Sequence, residues 1–127
     1  LPLSLGTALR ESAMALLTVA LCMMLGCVAA RMASCALPFL PAGAAAALQC
    51  ALEVTAGVRA LIDLRPPYTP ALVCAACSFG GLSLLLQNIA FWQESGLRLG
   101  QLFLIRLLHG ILSGLLCLGA LRFLFAA

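Results

Sequence analysis

Ser78-Phe79-Gly80-Gly81-Leu82-Ser83, followed closely by Gln87 and Asn88, lies inside an uncharged run from Pro66 to Gln93. That run is long enough to cross a bilayer, which takes about 20 apolar residues in helical form. Two adjacent glycines flanked by hydroxyls are unfavourable in an ordinary lipid-facing helix. Gly costs roughly 1 kcal/mol relative to Ala in a helix interior, and Gly/Ser pairs are where helices kink. Non-helical backbone at membrane depth persists only where protein or a water-filled cavity satisfies its N–H and C=O groups. Two readings follow. Either the glycines let a neighbouring helix approach closely, or they break the helix and offer backbone groups to a solute, as in carriers built from discontinuous helices.

The rest of the chain has the same character. Of its 127 residues 65% are hydrophobic and only 9% charged, against roughly 25% charged in a soluble domain. This composition describes an all-α integral membrane chain with no room for a separate soluble domain. The formal charge of +3 comes wholly from scattered arginines, a distribution that leaves no footprint for nucleic acid. Leu1 to Ser12 lacks a basic stretch followed by a cleavage site, so no signal peptide is expected. Seven cysteines at irregular spacing form no disulfide framework. Cys74-x-x-Cys77 has metal or redox spacing, but it has no second such pair and only His109 as an imidazole. The cysteines read as small hydrophobes, and neither a metal nor a cofactor is expected.

Uncharged runs between arginine-bearing turns predict four membrane-inserted helical segments, near residues 12–31, 42–58, 70–92 and 98–122, with broken or re-entrant helices among them. The first reads as a plain helix in which Ala13, Ala20 and Gly26 offer packing points. The second starts near Met32, turns at Pro38–Pro41 because proline removes a donor and disfavours helix before it, and restarts at Ala42. Leu52-Glu53-Val54-Thr55-Ala56-Gly57 reads as a helix terminus. Glu53 is either an interfacial acid paired with an arginine such as Arg59, or an acid below the membrane surface, where ionisable residues are costly and functional. Arg59 to Thr69 reads as an extramembrane loop, Pro70 as the first turn of the third helix, and Trp92 as a headgroup-level anchor before a turn over Glu94–Arg98. In the last segment Arg106 and His109 share a helix face. Either Arg106 snorkels and His109 bonds a carbonyl, or both face an internal cavity and hold an anion. The interruptions near Glu53–Gly57 and Ser78–Gly81 are expected to lie close together. With four full crossings, Arg10, Arg59, Arg65 and Arg122 share one side, opposite Arg31 and Arg98, and the positive-inside rule places both termini in the cytoplasm.

Three stretches in order, LEVTAGVRAL (52–61), SFGGLSLLLQ (78–87) and RLLHG (106–110), resemble the sporulation integral membrane protein family YlbJ (SpoVV), within the nucleoside-recognition or Gate superfamily. The likeness runs from about Ala8 to Phe125. Members are longer and contain two Gate-like halves, so the resemblance implies that residues 1–127 are a single Gate-like domain. It would be the C-terminal part of a longer protein, with an N-terminal half as partner. Members carry Asn where this chain has Ala56, and often a polar residue where it has Leu86; both differences remove side-chain hydrogen bonds. The resemblance implies a transporter of endospore formation in the outer forespore or mother-cell membrane, moving dipicolinic acid. The candidate solute-binding residues are Glu53, Thr55 and Gly57 at one interruption and Ser78, Gly80, Gly81, Ser83 and Gln87 at the other. Arg106 and His109 on the last helix complete the set. The partners expected are the lipid bilayer, a small anion and a second copy of the chain. A scaffold needed for spore cortex assembly is the alternative. No nucleophile–base pair, metal-ligand cluster or second intramembrane acid near Glu53 is present, so the chain is not read as an enzyme.

Overall fold

The computed structural model describes residues 4–91 and 98–125. Six helices follow one another: α1 (Leu5–Ala36), α2 (Ala42–Leu52), α3 (Val54–Leu64), α4 (Thr69–Phe79), α5 (Gly81–Phe91) and α6 (Leu99–Phe125). Three stretches are long and apolar enough to cross a membrane: α1, α4 with α5 taken together, and α6. Leucines and methionines stand exposed along α1 and α6, as helices bathed in lipid require. The structure is thus compatible with an integral membrane protein. Trp92 and the turn expected at Glu94–Gly96 lie outside the described residues.

Local chemistry accounts for the helix ends. Ser4 caps α1 by accepting a hydrogen bond from the Thr7 amide at 3.3 Å. The helix stops where Pro38 follows Leu37, the chain turns through Pro38–Leu40, and α2 begins at Ala42 as expected. Met32–Ala36, read as the start of the second segment, instead complete α1. Arg31 does not end the helix because it lies exposed, and a helix can carry a solvated cation at no cost in backbone bonding. Arg59 and Asp63, read as loop, belong to α3. This helix is amphipathic, burying Gly57 and Leu61 while Arg59 and Asp63 stay exposed. The true connection is the tight turn Arg65–Tyr68. Arg65 and Tyr68 take left-handed conformations (φ 48° and 68°), and the Thr69 hydroxyl and amide both bond the Pro66 carbonyl.

Within the second predicted segment no helix is long enough to cross. Glu53 is a single extended residue (φ −146°, ψ 119°) between α2 and α3. Seven residues along a straight helix are about 10 Å apart, yet a Cβ placed on Gly57 would overlap the backbone nitrogen and Cα of Cys50. The two helices therefore fold back on each other as a hairpin, closed higher up by Ala46 and Leu61 in the buried cluster with Cys50 and Ala76. Each arm has 11 residues, or about 16 Å of rise, roughly half the ~30 Å of a hydrocarbon core.

The interruption at Gly80 works differently. α4 packs along α6, where Gly110 and Gly114 allow contact with Ala71, Ala75 and Phe79, and Phe79 meets Phe103 edge-on at 5.8 Å. α5 leaves this pair and packs antiparallel on α1, so that Phe91 reaches Thr7, Arg10 and Met14. The hairpin overturns the premise of four full crossings. Arg31 and Arg59, expected on opposite sides, line one cleft. The pairing of α6 with α4 and of α5 with α1 puts the start of α1 and the end of α6 at opposite ends of the bundle, not the same one. Arg31, Arg59, Arg65 and Arg122 gather at one end and Arg10 lies at the other.

Candidate functional site

The two interruptions meet. A Cβ on Gly81 would stand 3.0 Å from the Cys50 carbonyl oxygen, 3.3 Å from the Val54 nitrogen and 3.4 Å from the Glu53 nitrogen. Gly26 of α1 closes the third side, since a Cβ there would come within 2.8 Å of Ser83 Cβ and 3.1 Å of Glu53 Cγ. Three elements thus converge on a point with almost no side-chain volume, and each contributes a glycine or a helix end.

Glu53 is the chemical centre of this junction. It is only 1% exposed, and it shares with Leu85 the place of largest fully buried side chain. Its carboxylate accepts the Thr55 hydroxyl at 2.5 Å and the Ala56 amide at 2.8 Å. An acid capping the first turn of α3 satisfies one of that helix's orphan donors and faces the positive end of its dipole. The first turn of α5 starts beside it at Gly81, and its leading N–H groups likewise have no partner within their own helix. The N-terminus of α5 therefore starts beside the backbone of the residue whose carboxylate caps α3. Such an arrangement holds the acid against the cost of burial and provides backbone donors to any polar group that enters.

Of the candidate residues, the structure brings together Glu53, Thr55, Gly80, Gly81 and Ser83, with Gly57 one turn along the hairpin. Ser83 is buried against Gly26, and Gly80 and Gly81 take the left-handed conformations (φ 84° and 73°) that break the helix. Gln87 is buried one turn further down α5, its amide 3.5 Å from the Val19 carbonyl of α1. Ser78 is half-buried inside α4. Arg106 is half-buried and His109 exposed on α6, a helix that packs chiefly on α4 and touches α5 over a short stretch. Among the described residues, the hydrogen bonds to the Glu53 carboxylate come from Thr55 and Ala56 and none from Arg106.

Sequence reading assigned Gly26 only a packing role, yet it forms one wall of the junction. A small residue in the middle of an apolar helix was the available signal. It also gave no role to a polar cleft of about 290 Å³ between α1 and the hairpin, lined by Arg31, Ser34, Gln49, Arg59 and Asp63. There the Gln49 amide donates to the Ser34 hydroxyl at 3.0 Å, and that hydroxyl donates to the Ala30 carbonyl at 2.9 Å. Comparison of the chain with protein-family models, with curated proteins and with solved structures finds no match.

Proposed function

We propose that the chain is the solute-handling part of a membrane transporter, with Glu53 and the helix ends around it as the working centre. The observation that carries this reading is the meeting of two interrupted helices on one fully buried acid. Ionisable residues within a membrane fold are expensive and mark solute or proton pathways, and discontinuous helices supply the backbone groups that bind solutes in carriers. Glu53 then serves as the proton-accepting gate and the first turn of α5 as a donor surface for the solute. A solute carboxylate enters this surface most easily when Glu53 is protonated, which couples anion movement to a proton. The finer assignment, a Gate-like half of a YlbJ-type protein carrying dipicolinic acid across the outer forespore membrane, rests on the three sequence stretches alone.

The full chain in proteoliposomes with pyridine-2,6-dicarboxylate as probe tests the proposal. Uptake is expected above that of empty vesicles, to fall about tenfold or more in Glu53→Gln, and to be partly kept in Glu53→Asp, with membrane insertion unchanged. A scaffold role is the second reading, and the close filling of the junction around Gly26 favours it. Uptake equal to that of empty vesicles, with insertion intact, selects the scaffold.

A further inference from the structure

The cleft between α1 and the hairpin offers a site of its own. Two arginines line it from separate elements, Arg31 from α1 and Arg59 from α3, and Asp63 lines it with them. Gln49 and Ser34 line the same cleft, joined by their hydrogen bond. The volume of about 290 Å³ is at the small end of the range for ligand pockets. It suits one compact charged group rather than a nucleotide. Arginine from two elements, with neutral amide and hydroxyl groups in the same cleft, is the chemistry that recognises oxyanions, because the planar fork pairs with two oxygens at once.

The position of the cleft adds to this. Its floor includes Cys27 and Ala56. Cys27 follows Gly26, which abuts Glu53, and the Ala56 amide is the one that binds the Glu53 carboxylate. The cleft therefore lies directly above the junction, at the end of the bundle where the arginines gather.

We infer that Arg31 and Arg59 form an oxyanion-binding mouth above Glu53, taking a carboxylate or phosphate group. The inference deepens the transport reading, since it supplies the outer station for the same pathway, but the binding itself does not depend on transport. Arg59 and Asp63 are one helical turn apart on α3, so an ordinary surface pair is the competing account. It predicts no saturable ligand.

Malonate and inorganic phosphate are titrated into the full chain in lipid-free detergent, and phosphatidylglycerol is titrated into the chain in nanodiscs of neutral lipid. Saturable binding in the first arm identifies a free oxyanion. Binding confined to the second identifies a lipid headgroup, and either supports the mouth if it depends on the arginines. Arg31→Gln and Arg59→Gln should each weaken binding about tenfold or more, as loss of a charge-assisted hydrogen bond requires, while Arg122→Gln leaves it unchanged. Asp63→Asn should tighten binding several-fold, a gain that damaged folding cannot produce. Binding lost in the arginine variants but kept in Glu53→Gln supports the mouth even if no transport is found. No saturable binding in either arm, or equal binding by the arginine variants, overturns it.

Discussion

The two interruptions share a plan and differ in execution. Each separates a pair of 11-residue helices, and each sits in apolar surroundings. At Glu53 one extended residue turns the chain back on itself, and the side chain at the break caps the helix that follows. At Gly80–Gly81 two successive left-handed residues let the chain continue, but transfer it from a partnership with α6 to one with α1. Extended backbone is open to any L-residue, so the first break carries an ionisable side chain. Left-handed backbone penalises a Cβ, so the second break gives up side chains and offers only backbone. A buried acid and bare helix donors are thereby brought to the same point.

Substituting the glycines of each break probes this contrast. The largest effect is expected from Gly57→Ala, because its Cβ would overlap rigid backbone at Cys50. A loss of about 3 kcal/mol or more follows from overpacking that cannot relax, read as a lower midpoint in detergent unfolding followed by circular dichroism. Gly81→Ala should cost about 2 kcal/mol, mainly from its left-handed φ of 73°, and should leave the hairpin intact. Equal costs for the two variants would erase the distinction between a break held by packing and one held by conformation. The smallest effect is expected at Gly43, near the start of α2, where a Cβ meets nothing within 4 Å. Gly43→Ala should stabilise by roughly 0.5–1 kcal/mol through helix propensity alone. A loss there would mean that the outer end of the hairpin is packed by something beyond this chain.

Where the helices break was legible in the sequence, because Gly-Gly between hydroxyls and Glu-Val-Thr-Ala-Gly are local signals. Which way the chain leaves each break was not. Gly57 matters through its contact with Cys50, and no local pattern states that a helix end is also a reversal. In α6 the packing face was legible: Gly110-x-x-x-Gly114 is a close-packing spacing, and both glycines lie against Ala71, Ala75 and Phe79 of α4. The helix that it meets was not. Four full crossings would set Arg31 and Arg59 on opposite sides. The half-depth hairpin places them in one cleft instead.

That hairpin also sets the parity of the fold. A segment that enters and leaves by the same face adds nothing to the count of crossings, and the described residues hold three stretches long and apolar enough to cross. An odd unit carries the chain from one face to the other. A second unit of the same design, joined in tandem, is therefore inserted upside down, and its hairpin dips in from the opposite face. Two copies of one architecture would then present their buried acids towards each other from the two sides, a symmetry that four full crossings would forbid.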